Sequence, residues 1–382
     1  MAYNRDDNVF RAPTGEEVSD NYSTVSLFGA LDETISRQRV NAKVRLNRNH
    51  YRERHDLDHT SGDGDLHWTG ETVGPLSWDI AYIGRRGLTS YATVVDPAQR
   101  VPNVETNQQA SAALQLGLQS QWVAGLTLAH RRIDETAPQF VSSELRVDSA
   151  GANLLWNPLG PVSLSIGPRF SHGRYPQARD LGDGAFLADE FDRRDLDFGL
   201  KWVPDGASTL NARLSLTRQT FDVLEDRDFD GATGLVSWTW QATGKTKLQA
   251  VLTHDTGSET SFFTSDVFGS SQRGTSDSSQ STTLAALRID YEATAKVSFG
   301  VSGSYARRHL SASSQLDGGT PIADESGNER SGRVALAVRY APTRNALLSC
   351  DVGRERRSTD TALSSPYRAT TGGCAAQFAL DL

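Results

Sequence analysis

The chain has 382 residues, a net charge of −8, and a hydrophobic content of 37%. No apolar run reaches the roughly 18–20 residues that a membrane-spanning helix needs, so helical membrane proteins are excluded. The acidic balance argues against a nucleic-acid binder. Two cysteines are too few for a disulfide scaffold. The opening sequence MAYNRDDNVF has no apolar segment, and we expect that a leader has been removed from an exported protein.

Apolar residues at every second position recur along the whole chain, and helical periodicity does not persist. Clear examples are residues 40–46, 210–216 and 334–340, where polar residues occupy the positions between. This pattern is typical of β-strands with one apolar face, so we predict an all-β protein with one domain over residues 1–382. The apolar face is the core in a soluble sandwich and the lipid-facing surface in a membrane barrel. Alternation alone does not distinguish them.

The connections between these strands alternate in length. The short ones lie near residues 33–36, 70–74, 119–121, 157–161, 204–208, 242–246, 292–296 and 341–345. The long ones are 51–60, 86–105, 131–143, 172–191, 221–229, 255–280, 307–330 and 354–368. Short turns at one rim and long loops at the other are typical of outer-membrane β-barrels.

The number of strands follows from closure. Eight short turns join sixteen strands, and residues 370–382 form a last one. Single-chain bacterial barrels have an even number of strands and both termini in the periplasm, so residues 2–11 are the expected missing strand and 12–21 a ninth outer loop. We therefore predict an antiparallel up-and-down barrel of about 18 strands, with 16 as the alternative. Its lumen is expected to hold water, narrowed by the loops 86–105, 172–191, 255–280 and 307–330.

All seven tryptophans lie close to a short turn, and none lies in a long loop. We predict that they form an aromatic girdle at the periplasmic membrane interface. They are Trp68, Trp78, Trp122, Trp156, Trp202, Trp238 and Trp240.

Charged residues on the polar faces of the strands are the candidate functional residues. They are expected to line the lumen, where they either select solutes through a transverse field or stiffen the wall through mutual salt bridges. They are Arg45, Asp79, Asp195, Asp197, Arg213, Arg288, Asp290, Arg333, Arg339, Asp351 and Glu355.

The two cysteines flank the last long loop. Opposed residues of a hairpin have a constant index sum, and Cys350 with Cys374 centres the hairpin on residue 362, inside the loop 354–368. They are expected to be cross-strand neighbours on the lipid face, and a disulfide could form in an oxidising compartment.

The eight histidines are scattered, and no hydrolase motif is present. His50, His55 and His59 flank one outer loop, where solvated histidines are favoured over a metal site. The sequence predicts no metal site, no cofactor and no enzymatic activity.

Several segments also resemble a known family. They are DDNVFR (6–11), ISRQRV (35–40), LDHTSGDGDLHW (57–68), DRDFDGATG (226–234) and ATGKTKL (242–248). The chain resembles the β-barrel porins linked to exopolysaccharide biosynthesis, the EpsL type, over essentially its whole length. It departs from them at His59, where the family has a tyrosine, and at its C-terminal residue, which is leucine instead of phenylalanine. The resemblance implies export of a polysaccharide across the outer membrane.

The sequence thus predicts a passive channel in the bacterial outer membrane. Its expected partners are outer-membrane lipid, the outer-membrane assembly machinery, polysaccharide or small hydrophilic solutes, and exopolysaccharide secretion proteins, but not nucleic acid. Two alternatives remain open, namely a structural or adhesive barrel with a blocked lumen and a soluble all-β binding protein.

Overall fold

The computed structural model describes residues 1–89, 91, 100–117, 120–158, 160–182, 185–256, 279–316, 320–361 and 363–380. Within these residues, eighteen strands form one antiparallel sheet. The strands are β1 (Ala2–Asp6), β2 (Asp20–Ile35), β3 (Gln38–Tyr51), β4 (His59–Glu71), β5 (Leu76–Leu88), β6 (Val104–Leu116), β7 (Trp122–Asp134), β8 (Leu145–Trp156), β9 (Val162–Gly182), β10 (Ala185–Trp202), β11 (Ser208–Phe221), β12 (Phe229–Thr243), β13 (Thr246–Asp255), β14 (Ser279–Glu292), β15 (Val297–Leu316), β16 (Thr320–Thr343), β17 (Ala346–Thr359) and β18 (Tyr367–Phe378).

Each strand pairs with the next, and the first strand closes the sheet. Ala2 in β1 lies opposite Thr24 in β2 on one side and Ala375 in β18 on the other. The predicted barrel of eighteen antiparallel strands is therefore confirmed. The helical elements among the described residues are short 3₁₀ turns, and none is long and apolar enough to cross a membrane.

The first strand is shorter than predicted, because the chain leaves the sheet after Asp6. The side chain of Asn8 folds the next residues into a turn: its amide nitrogen donates to the carbonyl oxygen of Ala12, and its oxygen accepts from the Ala12 N–H, both at 2.8 Å. Arg11 completes the turn with a φ of 52°. Residues 7–11 are thus part of the first outer connection, which runs over 7–19 where 12–21 was predicted.

Two predicted loops are wrong, because 172–191 and 307–330 are mostly strand. They form the outer halves of the long hairpins β9–β10 and β15–β16. Their outward positions carry charged residues such as Arg174, Glu190 and Arg330 in place of the apolar residues that face lipid lower on the strands. The alternation of apolar and polar residues is therefore lost, and a segment without it is predicted as a loop. The predicted loop 255–280 lies almost entirely outside the described residues.

The apolar face of the strands forms the outer surface of the barrel. Leu126, Leu214, Leu336 and their equivalents on other strands are about half exposed. The polar residues between them point inward. Since an apolar exterior around a polar interior is the inverse of a soluble core, the soluble binding-protein alternative is wrong.

Candidate functional site

The inward face of the barrel carries the charged side chains, and they fall into separate groups. On β10, Asp195 and Asp197 belong to a buried network with two arginines. Arg169 lies 3.1 Å from Asp195 and 3.0 Å from Asp197, and Arg193 lies 3.0 Å from Asp195. Arg193 also reaches Asp255 on β13 at 3.0 Å.

Hydroxyl groups from β11 complete this network. Thr217 donates to Asp195 and Ser215 donates to Asp197, both at 2.5 Å. The side chain of Asp195 is 0% exposed and that of Arg193 is 2% exposed. Fully satisfied charges in a low-dielectric wall rigidify it, so this group stiffens the barrel between β9 and β13.

A second group lines a cavity of about 790 Å³ on the other side of the lumen. Arg45, Arg333, Asp351 and Glu355 lie here, so four of the eleven predicted charged residues share one site. Further charged side chains complete the wall, namely Asp6, Arg11, Asp63, Asp65, Arg85, Arg308 and Arg357. Six arginines and five carboxylates of the inner face thus surround a water-accessible space, which creates a strong local field without a large net charge. Arg5 and Arg86 border the same space from outward-facing positions.

Of the remaining predicted residues, Arg213 adjoins the first group, because its charge lies near enough to that of Asp197 to interact with it. The other four lie elsewhere on the inner surface. Arg288 and Asp290 pair with each other on β14 at 2.6 Å. Arg213 lies on β11 opposite Gly199. Asp79 and Arg339 lie near the short-turn ends of β5 and β16, and both are exposed on the inward face.

Four tyrosines in the cavity wall were missed by the sequence reasoning. Tyr22 and Tyr51 are stacked, with ring centroids 4.8 Å apart. The Tyr367 hydroxyl donates a hydrogen bond to the Glu355 carboxylate. Tyr91 lines the same cavity. Their positions in the sequence could have indicated this site. Tyr51 and Tyr367 alternate in phase with the inward polar residues and lie at strand ends that border long loops.

An apolar cluster borders the cavity toward the long-loop rim. We call it the lid cluster; it comprises the buried residues Phe10, Tyr51, Leu57, Tyr91, Ala137 and Phe140. The rings of Phe10 and Tyr91 meet edge to face at 5.1 Å, and the guanidinium of Arg54 lies 4.5 Å from the Phe10 ring centroid. Burial raises the pKa of Tyr91 to about 12, so its phenol stays neutral at physiological pH. The cluster thus contains Tyr91 from the predicted loop 86–105 and Phe10 from the first connection 7–19.

The connection 7–19 is tied to the barrel wall by charge. Arg11 lies 2.8 Å from Asp6 and 3.5 Å from Glu355. Burial by itself lowers the pKa of Arg11, but the two carboxylates outweigh it and hold that pKa above its usual value. The guanidinium thus stays charged and links the lid cluster to the acid on β17.

The seven tryptophans lie at one end of the barrel. Each is within five residues of the short-turn end of its strand, on the outward face. Trp68 and Trp78 meet edge to face at 5.9 Å, and the Trp78 ring covers Gly70 so closely that a Cβ there would lie 2.3 Å from it. These seven residues occupy only β4–β12. Tyr291, Phe299 and Tyr340 take equivalent positions on β14–β16.

We expect brominated lipids to quench the tryptophan fluorescence in a depth-dependent way. Bromine near the lipid headgroups should quench strongly and bromine near the bilayer centre weakly, because all seven indoles would lie at one interface. The measurement is steady-state emission of the protein in vesicles of each lipid. Equal quenching at both depths would mean that the indoles are spread over the height of the barrel.

The two cysteines are joined across the last strand pair. Cys350 in β17 lies opposite Cys374 in β18, with Cα atoms 4.1 Å apart and a disulfide bond between the sulfurs. Both residues are on the exposed outward face. The bond links two strands that flank the closure of the barrel, since β18 also pairs with β1.

The predicted histidine group is divided by the structure. His50, His55 and Asp58 each place one potential ligand atom within 4.8 Å of the others, at the exposed outer end of β3. The rings of His50 and His55 are stacked at 5.2 Å, and His50 Nδ1 lies 2.7 Å from Asp58 Oδ2. His59 is separate: its Nδ1 lies 2.8 Å from the Leu57 carbonyl oxygen, and its Nε2 lies 3.1 Å from the Asn49 amide.

A scan of protein-family models gave no match, and neither did a comparison with curated proteins. Among solved structures, the chain is similar to the FrpB iron transporter of Neisseria meningitidis (F5-1 variant, apoprotein), with 9% identity, a TM-score of 0.44, and coverage of 94% of this chain and 61% of that one. It is also similar to the copper transporter OprC, with 11% identity, a TM-score of 0.44, and coverage of 94% and 61%. The siderophore receptor PirA of Pseudomonas aeruginosa gives 9% identity, a TM-score of 0.39, and coverage of 99% and 80%.

The chain spans about three fifths of the length of the FrpB and OprC structures. The assignment rests on this chain's own geometry. Lipid covers the apolar exterior of such a closed sheet, and closure leaves no unpaired strand edge inside the bilayer. An apolar exterior, a charged interior and long connections at one rim are the features of outer-membrane barrels. The chain is a bacterial outer-membrane β-barrel.

Proposed function

We propose that the chain is a passive channel through which hydrophilic solutes cross the outer membrane, and that it serves the secretion of an exopolysaccharide. The cavity beside β1–β5 carries the proposal. Its wall combines tyrosine rings, amides such as Asn47 and Asn49, and closely spaced arginines and carboxylates. Sugars present both hydroxyl groups and apolar ring faces, so this wall offers hydrogen bonds and stacking surfaces of the kind a polysaccharide needs.

The balanced charge of the wall favours passage over tight capture. Hydroxyl-rich solutes can exchange hydrogen bonds from one charged side chain to the next, as water does, while the field orders them. The resemblance to EpsL-type porins supports the same substrate class. The buried network around Asp195 keeps the opposite wall fixed during passage.

In this proposal the lid cluster holds the channel closed at rest on this side of the lumen. Phe10 and Leu57 are almost completely buried, at 3% and 1% exposure. A polysaccharide chain leaving through this side must displace the connection 7–19, which is held by Arg11 and Glu355. Opening thus requires loss of a small apolar cluster and one ion pair, while the strands stay in place.

We expect Phe10→Ala to raise the single-channel conductance in planar bilayers. The substitution removes about 3–5 kcal/mol of packing from the lid cluster and leaves the strands unchanged. The matched control is Leu27→Ala on the lipid-facing side of β2, which should conduct like the parent protein. Conductance that is unchanged by Phe10→Ala would mean that this cluster does not control the lumen.

The polysaccharide part is tested in the same recordings of the Phe10→Ala protein. A dextran fragment should block the current transiently, and polyethylene glycol of similar size should block less, because it lacks donor hydroxyls. Tyr51→Ala added to Phe10→Ala should shorten the dextran blocks. Equal blocks by both polymers would contradict sugar recognition, while the channel itself would stand.

One observation favours the structural or adhesive alternative, namely the packed lid cluster itself. A barrel that presents loops to a partner has no need to open. That alternative predicts no conductance in either the parent protein or Phe10→Ala.

A further inference from the structure

Five arginines form a patch on the outward face of β15–β18, at the long-loop end of the barrel. All five are exposed on the same face as Val334 and Leu336. They are Arg307, Arg330, Arg354, Arg356 and Arg368. The register places Arg307 directly opposite Arg330, and Arg356 directly opposite Arg368. We call this set the arginine patch.

Nothing in the described part of the chain neutralises the arginine patch. None of its members forms an ion pair with a described carboxylate, and Arg307 donates a hydrogen bond to the side-chain oxygen of Asn328 at 3.3 Å. The carboxylates nearest in the register, Asp7 and Asp360, accept backbone N–H groups instead. Like charges directly opposite each other destabilise a sheet. Two such pairs side by side therefore concentrate positive charge, and this favours binding of an anion at this position.

On the opposite side of the barrel, outward charged residues at about the same height pair with one another. On β7–β10 a cross-strand row alternates His130, Asp148, His172 and Asp192. In the neighbouring positions Arg132 pairs with Asp134 at 2.7 Å, and Arg174 pairs with Glu190 at 3.4 Å. Arginines are opposed here as well, since Arg146 lies opposite both Arg132 and Arg174. Two of these three pair with a described carboxylate, whereas none of the five arginines on β15–β18 does.

The height of the patch places it at the outer boundary of the apolar band. Along β16 the outward positions run from Tyr340 through Leu336 and Val334 to Arg330. With a rise of about 3.3 Å per residue and a strand tilt of about 40°, Arg330 lies roughly 25 Å above Tyr340. An outer-membrane barrel has an apolar band of about 25 Å. Arg330 and Arg307 therefore lie at the level of the lipid headgroups of the outer leaflet. Arg356 and Arg368 lie one outward position lower in the register, and Arg354 lies two positions lower.

We propose that the arginine patch binds the phosphate groups of a phosphorylated glycolipid in the outer leaflet. A guanidinium donates two parallel hydrogen bonds to a phosphate, and a phosphate between opposed arginines removes their repulsion. The acyl chains of the same lipid lie against Val352 and Tyr305, which are one outward position below Arg354 and Arg307 and are 48% and 51% exposed. The bound lipid would seal the barrel surface at the strands that flank its closure. This inference rests on the outer-membrane location and is independent of the channel function.

The test is binding of lipid A to the detergent-solubilised full chain by native mass spectrometry. Bisphosphorylated lipid A should bind. The affinity for enzymatically dephosphorylated lipid A should be lower by roughly tenfold or more. The double variant Arg356→Gln/Arg368→Gln should lose the preference for the phosphorylated form. The matched control, Arg132→Gln/Arg174→Gln on the opposite wall, should keep it.

Three results would overturn the proposal: equal binding of the two lipids, equal loss in both double variants, and displacement of the lipid by inorganic phosphate at low millimolar concentration. The last would show a site for small anions. Folding of each variant is verified by heat-dependent gel migration. If Arg356→Gln/Arg368→Gln does not fold, the single variants Arg307→Gln and Arg354→Gln replace it, and each should weaken lipid binding severalfold.

Discussion

Leu336→Arg is expected to destabilise the folded barrel by about 2–4 kcal/mol, the cost of an arginine facing lipid near the bilayer midplane. Leu336 is outward and 51% exposed, with apolar neighbours above and below it on β16. It lies four residues from Tyr340, which corresponds to roughly 10 Å of height at about 3.3 Å per residue. Leu214→Arg on β11 should have the same effect, since Leu214 is 53% exposed on the same outer face.

The measurement is the free energy of unfolding by guanidinium chloride in lipid vesicles. The matched control is Ala337→Arg, one residue further along β16, which points into the lumen between Gly300 and Asp351. It should change the free energy of unfolding by much less, because its charge meets water and a carboxylate. If Ala337→Arg were the more damaging change, the inner and outer faces would be interchanged.

Asp195→Ala should cost about 3–5 kcal/mol, the usual penalty for removing one partner of a buried ion pair. The carboxylate is the shared partner of Arg169 and Arg193, at 3.1 Å and 3.0 Å, and its side chain is 0% exposed. Without it both guanidinium groups lose a partner, and Thr217 loses its acceptor. The same unfolding measurement applies.

Asp192→Ala on the same strand is the control for Asp195→Ala. Asp192 points outward, is 64% exposed, and pairs with His172 at 3.0 Å. An exposed pair contributes only about 0–1 kcal/mol. Similar losses for the two variants would show that the network around Asp195 does not stiffen the wall.

The sequence predicted the barrel well wherever one strand face meets lipid and the other meets water. Apolar and polar residues then alternate strictly, as in β11 and β16. The position of a residue in this alternation shows whether its side chain points outward or inward. The same logic located the closing hairpin, because an antiparallel register keeps the sum of opposed positions constant and thus pairs Cys350 with Cys374. Even the count of eighteen strands followed from closure.

The prediction failed where a strand has no lipid-facing apolar side. The outer halves of β9–β10 and β15–β16 carry charged residues at outward positions such as Arg174, Glu190 and Arg330, and their pairing depends on the partner strand instead of a lipid-facing pattern. The start of the chain failed for another reason. The side chain of Asn8 bonds to the backbone of Ala12 and ends β1 early, a local competition that period-2 reasoning does not include.

The inward charges were predictable as a set, but their grouping was not. Parity places Asp195 and Glu355 on the same inner surface. Their strands, β10 and β17, lie at different positions around the barrel. Asp195 therefore joins a buried network, while Glu355 borders an accessible cavity. The lid cluster depends on Phe10, Leu57 and Phe140, which lie in connections where no periodicity guides the reading.

The most direct test of the central claim, a membrane barrel with a water-filled lumen, is accessibility of neighbouring positions to a water-soluble maleimide. Single cysteines replace Leu336, Ala337, Leu126 and Thr127 in a Cys350→Ser/Cys374→Ser background, and the proteins are labelled in vesicles. Positions 337 and 127 point into the lumen from opposite walls and should react, whereas 336 and 126 face lipid and should not. Labelling at 336 and 126, or none at 337 and 127, would contradict the account.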